Sequence, residues 1–141
     1  MRILVGVLLI LHGLITALQA GGSFNPTGGT PNPKWVSWWP TSLGQSWLLS
    51  RLGAEKSLPG IFAGLLWLLA GVALIAAALG LLGFIVPSVW WRVLAGVGAV
   101  VSLFLFIIYA HPLYAVVIGA DMAILLVLLW AKWPPLEVLG S

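Results

Sequence analysis

The chain has 141 residues, of which 62% are hydrophobic and only 6% are charged, with a formal net charge of +3 at pH 7. Soluble domains carry roughly 25% charged residues, so a water-soluble globule of this composition would expose apolar surface over most of its exterior. The sequence has no cysteine, which excludes disulfides, thiolate metal sites, Fe–S clusters and dithiol redox chemistry. These values predict an integral membrane protein, for which the lipid bilayer is the solvent.

Four apolar segments reach the length of about 20 residues that a transmembrane helix needs. The first has features of a secretory signal peptide, although His12 interrupts its apolar core. The second opens at Ser57, the predicted helix cap, with Pro59 in its first turn. The fourth begins at Pro112 and stops before Pro134. The predicted spans are residues 3–20, 58–83, 88–109 and 112–132.

A loop of residues 21–57 separates the first two spans. Its first half, "GGSFNPTGGTPNPK", is rich in glycine, proline and asparagine and is predicted to be irregular. Its second half, "WVSWWPTSLGQSWLLSRLG", is expected to lie on the membrane surface, with a short helix near 42–52 that ends at Gly53.

The later spans are joined by very short connections, which indicates antiparallel neighbours. We therefore predict a single all-α domain over residues 1–141, an up-down four-helix bundle with both termini on one side of the membrane. Three basic residues fall on that side and three in the long loop, where Glu55 offsets part of the charge. The termini are accordingly predicted to be cytoplasmic. The three basic residues on the terminal side, which suit anionic lipid head groups rather than nucleic acid, are Arg2, Arg92 and Lys132.

The tryptophans give a second test of the span boundaries, because this residue prefers the membrane interfaces. Only Trp67 falls in the middle of a predicted span, and the other eight of the nine lie near span ends or in the loop. The predicted interfacial anchors are Trp35, Trp38, Trp39, Trp47, Trp90, Trp91, Trp130 and Trp133.

One acid, Asp121, stands in the middle of the apolar run "VVIGADMAILLVLLW". It lies nine residues after Pro112, and His12 lies about nine residues into the first span, so both fall about 14 Å from their helix starts. Because polar groups inside a bilayer are costly, each needs a partner. We predict that His12 and Asp121 form a pair near the membrane midplane, either as an ion pair or as a neutral hydrogen bond.

Further polar residues follow the same helix faces as His12 on span one and Asp121 on span four, or share one face of span three, all on the side of the long loop. They outline a vestibule of half the membrane depth, and the opposite half of the spans is almost wholly apolar, which weighs against a channel. His111 is expected at a hydrated turn. The predicted vestibule residues are Thr16, Gln19, Ser102, Tyr109 and Tyr114, of which the two tyrosines also suit interface anchors.

The polar pair has three interpretations. It can join helices structurally, bind a ligand or proton, or contact another subunit. Small residues at four-residue spacing let helices approach closely, and on the fourth span they face away from Asp121, so that face suits neighbours or a second subunit. The predicted packing residues are Gly60, Gly64, Ala95, Ala99, Ala115, Gly119 and Ala123.

The stretches "LVGVLLILHGL", "AGVALIAAALGLLG" and "GADMAILLVLLW" resemble the DoxX-like group of small four-span bacterial membrane proteins. The resemblance covers the spans and implies a four-helix fold in a bacterial cytoplasmic membrane. Some members are linked to quinone-coupled oxidation of sulfur compounds or to membrane redox complexes. A basic residue often follows the His-Gly pair in that group, whereas Leu14 follows it here. No catalytic motif of the group is matched, so no catalytic residue is assigned.

Two functions follow as hypotheses. The first is a non-catalytic subunit or accessory factor of a larger membrane complex, held by the small-residue face of span four or by the Trp-rich loop. The second is a quinone- or lipid-binding component of an oxidoreductase that uses His12 and Asp121. A small-solute transporter is a third, weaker hypothesis. The two histidines and three acids are too scattered to predict a metal site, and no cofactor is predicted beyond a bound lipid or quinone.

Overall fold

A computed structural model of the protein describes residues 1–26 and 29–132. Within those ranges the chain is helical, and its only β pairing is an isolated bridge between Thr30 and Leu43. Short 3-10 turns occur at Lys34–Val36, Ser88–Trp90 and Pro112–Tyr114, and a π-helical turn at Leu126–Trp130. The α-helices are α1 (Arg2–Leu18), α2 (Ala20–Phe24), α3 (Trp47–Arg51), α4 (Leu58–Leu82), α5 (Trp91–Ile108) and α6 (Ala115–Leu125).

Four helical runs are long and apolar enough to cross a membrane, which confirms the four apolar helices predicted from the sequence. The first run continues past its predicted end at residue 20, because Gln19 keeps right-handed helical angles between α1 and α2. The other bounds agree with the predicted spans to within two residues. The runs are Arg2–Phe24, Leu58–Leu82, Ser88–Ile108 and Pro112–Trp130.

The ends of α4 show how local chemistry terminates a helix. Ser57 occupies the N-terminal cap position, as predicted, but its hydroxyl donates to the Ala54 carbonyl instead of accepting from the helix. The helix ends at Gly83, whose φ of +80° suits a residue without a side chain. Arg2 donates from Nε to the Leu81 carbonyl, which places a cation at the carbonyl end of α4.

Two glycines bring α1 and α4 into backbone contact. A methyl group placed on Gly71 would lie 2.6 Å from the Gly13 carbonyl oxygen and 2.6 Å from the Ala17 Cβ. A methyl group on Gly98 of α5 would lie 2.7 Å from the Leu74 side chain of α4. These three glycines have no room for a side chain, and none was among the predicted packing residues.

The predicted small-residue positions divide into three groups. Gly60 lies against the Glu55 backbone carbonyl in the loop, and Gly64 lies under the Phe24 ring at the end of the first helical run. Ala95 and Ala99 are buried between the helices. The span-four face is different, because it faces outward and contacts no other helix of the described residues: Ala115, Gly119 and Ala123 are exposed.

The second half of the long loop folds over the ends of the helices. The last carbonyls of a helix lack intrahelical partners, and the loop supplies donors to those near the end of α5. Ser46 Oγ donates to the Ile108 carbonyl at 3.0 Å, Trp47 Nε1 donates to Ile107 at 2.7 Å, and Trp39 Nε1 donates to Ala110 at 3.2 Å. Ser46 also caps α3, which is shorter than the predicted helix near 42–52.

The predicted tryptophan anchors differ in exposure. Trp91 is only 4% exposed and packs in the core beside Ala95, because it begins α5 on the face that meets α4. Trp39 and Trp47 are partly buried and donate hydrogen bonds, as described above. Trp133 lies outside the described residues. The anchors that are more than half exposed are Trp35, Trp38, Trp90 and Trp130.

Candidate functional site

The structure brings His12 of α1 and Asp121 of α6 together in the buried space between the helices. His12 Nε2 lies 2.7 Å from Asp121 Oδ1, and Ser102 Oγ donates to Asp121 Oδ2 at 2.6 Å. Asp121 and Ser102 are fully buried, and His12 is 8% exposed. Both carboxylate oxygens therefore have partners, and one side chain connects α1, α5 and α6.

Neighbouring residues on α1 contact different helices. Gly13 presses against α4, whereas the adjacent His12 reaches α6. Thr16, one turn later, is fully buried and donates from its hydroxyl to the His12 carbonyl at 2.8 Å. This bond lies within the helix, so Thr16 is satisfied locally and adds no link to another helix.

Serine, histidine and aspartate are the residue types of a hydrolase triad, but they are connected here in a different order. In such a triad histidine lies between the other two and accepts the serine proton. Here Asp121 lies between His12 and Ser102, so the imidazole does not reach the serine hydroxyl through a direct bond. Ser102 is also fully buried. The arrangement is suited to joining helices and not to nucleophilic catalysis.

The outer members of the predicted vestibule form a second polar group. Ser23 Oγ donates to the Tyr109 hydroxyl at 2.8 Å, and the Tyr114 hydroxyl donates to Gln19 Oε1 at 2.8 Å. Both tyrosines are nearly buried, at 5% and 6% exposed. Each bond joins the end of the first helical run to the region between α5 and α6.

An aromatic layer separates the two polar groups. Along α5 the order is Ser102, Phe106 and Tyr109, and Phe106 is fully buried. The ring centroid of Phe106 lies 4.8 Å from that of Trp67 and 4.9 Å from that of Tyr114. The vestibule predicted as one stripe is therefore two polar sites with packed rings between them.

A cavity of about 280 Å³ lies beside the outer group, under the long loop. Polar side chains from several separate segments converge on it, and among the described residues Glu55 is the one formal charge in its lining. Neither His12 nor Asp121 lines this cavity. Its lining includes Gln19, Ser23, Gln45, Ser46, Glu55, Tyr109 and Tyr114.

Burial raises the pKa of the Tyr109 hydroxyl above its ordinary value, the hydrogen bond from Ser23 opposes this shift, and the nearby charge of Glu55 adds to it. The hydroxyl is therefore protonated at neutral pH. Since Ser23 donates to its oxygen, the Tyr109 proton can be donated to a third group.

The indole of Trp67 carries a buried N–H that has no hydrogen-bond partner among the described residues. Trp67 is 1% exposed, and its ring packs edge-on against Phe106 and Tyr109. A buried donor without a partner costs roughly 1–3 kcal/mol. The position of this residue within a span was evident from the sequence, but its lack of a partner was not.

His111 was expected at a hydrated turn, and this expectation was wrong: the residue is 4% exposed. Its Nδ1 accepts from the Leu113 N–H at 3.2 Å, so Nε2 carries the proton and donates to Asn32 Oδ1 at 2.9 Å. Asn32 donates in turn to the Trp39 and Thr41 carbonyls. Burial lowers the pKa of His111, and the neutral ring anchors the loop to the turn before α6.

No protein-family model, curated protein or solved structure matches the chain. The DoxX-like resemblance therefore stays a prediction, and function is inferred from the geometry alone. Within residues 1–26 and 29–132, no group of three histidine or acidic side chains is placed to hold a metal ion.

Sequence reasoning missed three parts of the site. Ser23 and Gln45 were assigned to the loop without a role, and Glu55 was counted only as a charge. The sequence signal that could have pointed to them is modest: Glu55 is one of only three acids, and Ser23 lies one helical turn after Gln19. The loop conformation that gathers them has no such signal.

Proposed function

We propose that this chain is a non-catalytic integral membrane protein that binds a small ligand in the loop-side cavity. The observation that carries the proposal is the cavity itself, where side chains from separate segments converge on about 280 Å³ of space. Concave sites with a few convergent polar groups are the usual location of ligand binding, and this volume is near the lower end of their range.

Four apolar helical runs support placement in a bilayer, with neighbouring spans antiparallel. The contacts of Gly6 with Leu82, and of Gly13 with Gly71, support an antiparallel arrangement of α1 and α4. We propose an up-down bundle in a bacterial cytoplasmic membrane with cytoplasmic termini, on the basis of the family resemblance and the positions of Arg2 and Arg92. The cavity then opens on the opposite face.

The His12–Asp121 pair is proposed to be structural. Its carboxylate is enclosed, both oxygens are hydrogen-bonded, and the aromatic layer separates it from the cavity. A quinone or lipid bound by this protein would therefore meet Tyr109, Tyr114 and Gln19, and not the buried pair. The assignment changes the position of the ligand site that the sequence suggested.

Cavity filling provides the test. Gly22 lines the cavity, and a methyl group there would lie 3.4 Å from the Gly44 carbonyl, whereas a methyl group on the adjacent Gly21 would meet nothing within 4 Å. We expect Gly22→Leu to lose small molecules that copurify with the wild-type protein, as measured by native mass spectrometry. Gly21→Leu is the matched control and should retain them. Equal amounts of bound small molecules in both variants would contradict ligand binding in the cavity.

A second candidate function is that of an accessory subunit of a larger membrane complex, which the sequence favoured. The observation in its support is the exposed face of α6, where a methyl group added to Gly119 would meet nothing within 4 Å. If this face binds another membrane protein closely, Gly119→Leu should dissociate a complex extracted in mild detergent. Val116→Leu, at a position that is 84% exposed, is the control. A lone protein in the wild-type extract would contradict this role.

A further inference from the structure

Within the described part of the chain, Glu55 is the one formally charged residue that lines the loop-side cavity. Its Oε1 accepts a hydrogen bond from Ser50 Oγ at 2.5 Å, and the side chain is half-buried. All six basic residues of the chain lie in the described ranges, and none of them forms an ion pair with Glu55. The cavity therefore holds a carboxylate without a counter-ion from its own chain.

A carboxylate removed partly from water is stabilised by a cation close to it. Two further features of the cavity suit an organic ammonium group. Its lining includes oxygen acceptors besides the carboxylate, among them the Ser23 and Ser46 hydroxyls, and an ammonium group donates three hydrogen bonds. Tyr109 and Tyr114 also belong to the lining, and aromatic side chains attract cations.

We infer that the cavity binds a small ligand with a primary ammonium group, and that Glu55 is its counter-ion. This inference rests on the proposed function, because it requires the cavity to be a ligand site. The volume of about 280 Å³ leaves ample room for a group of the size of ethanolamine. The Glu55 charge predicts selectivity for a cation over a neutral polyol.

The ammonium group has two sources, a free soluble amine and the head group of an aminophospholipid. Gln19, Tyr109 and Tyr114 lie at the loop-side ends of the helical runs, which is the depth of lipid head groups in the proposed membrane placement. Both sources present the same chemistry to Glu55, so lipid composition distinguishes them.

The test uses the full chain in nanodiscs of phosphatidylglycerol, which has no amine. Ethanolamine is titrated by calorimetry at constant ionic strength, with ethylene glycol as the neutral probe. We expect ethanolamine to bind at least about tenfold more tightly than ethylene glycol. Glu55→Gln, which can still accept a hydrogen bond from Ser50, should lower the affinity for ethanolamine by at least about tenfold, equivalent to roughly 1.4 kcal/mol. Lys56→Gln, an exposed charge change next to it, is the control and should bind as the wild type does.

Phosphatidylethanolamine is then added to the nanodiscs. If the lipid is the natural source, it should compete with ethanolamine in the wild type and persist as a Glu55-dependent adduct in native mass spectrometry. If ethanolamine binding is unchanged, the source is a soluble amine. Either result supports the ammonium site.

Three results overturn it: no ethanolamine binding to the wild type, equal affinity of Glu55→Gln, or equal affinity for ethylene glycol. The Gly22→Leu and Gly21→Leu pair separates this failure from that of the proposed function. Loss of copurified adducts in Gly22→Leu alone would keep the cavity as a ligand site with a different ligand. Retention in both would remove the proposed function as well.

Discussion

His12 Nε2 and Asp121 Oδ1 lie 2.7 Å apart although 109 positions separate the residues in the chain. This contact joins the first helix to the last, and Ser102 adds α5 through the second carboxylate oxygen. A single buried acid thus holds three helices, which accounts for its position in an otherwise apolar segment.

Replacing Asp121 tests this structural role. Asp121→Ala removes two interhelical hydrogen bonds and leaves His12 and Ser102 without their partner, so we expect a loss of about 1–3 kcal/mol in the free energy of unfolding. Asp121→Asn keeps an acceptor for Ser102 and a donor for neutral His12, so it should cost less than about 1 kcal/mol. Reversible unfolding in mixed detergent micelles measures both. A cost for asparagine as large as that for alanine would show that the carboxylate charge itself is required.

The close contact of α1 and α4 predicts that Gly71 cannot carry a side chain. Gly71→Ala places a methyl group 2.6 Å from Ala17 Cβ, and overpacking of this kind typically costs about 1–3 kcal/mol. Gly119→Ala is the matched control, because its added methyl group meets nothing within 4 Å. The control should be neutral or slightly stabilising, since alanine is the better helix former. Similar losses at both positions would contradict the observed packing.

The unpartnered N–H of Trp67 predicts an unusually small effect of Trp67→Phe. The change removes packing volume, but it also removes a buried donor that costs roughly 1–3 kcal/mol. We expect the two to offset each other, with a net loss below about 1 kcal/mol in the same unfolding assay. Phe106→Leu, in contact with the same ring, only loses apolar packing and should cost about 1 kcal/mol or more. A large loss for Trp67→Phe would indicate that the N–H has a partner such as a bound water.

His111 predicts a stability that depends on pH. Burial lowers its folded-state pKa below the ordinary value of 6.5, so the unfolded chain takes up the proton first as the pH falls. Its contribution is therefore complete above about pH 6.5 and is lost as the pH falls from there through the folded-state pKa. We expect the unfolding midpoint to decrease between pH 7.5 and pH 5.

The control for this dependence is His111→Gln, which can still donate to Asn32 but does not titrate. The difference in unfolding midpoint between the wild type and His111→Gln separates the contribution of His111 from that of other titrating groups. That difference should grow as the pH is lowered below 6.5, and protease should then reach the loop near Asn32 earlier in the wild type. Parallel pH profiles would disprove the role of the neutral ring as a loop anchor.

Much of the helical structure was predictable because its causes are local. Apolar length placed four runs close to their observed bounds, and a glycine after Leu82 ended α4 as glycine commonly does. The pairing of His12 with Asp121 was also predicted, because few polar residues share that depth. The contacts of Gly13, Gly71 and Gly98 were missed. The prediction looked for small residues four positions apart on one helix, whereas these glycines are identified by the residues they contact on other helices.

Sequence by itself determined the apolar character, the four long apolar helices and the one acid that needed a partner, because each is a property of a residue or a short segment. The tertiary structure decided that Ser102 completes that partner set, that the aromatic layer divides the polar stripe, and that Glu55 lines a cavity without a counter-ion. These features depend on the approach of distant segments. The loop conformation that gathers Ser23, Ser46 and Glu55 is set by bonds to helix ends about 60 residues away, and no local pattern encodes that distance.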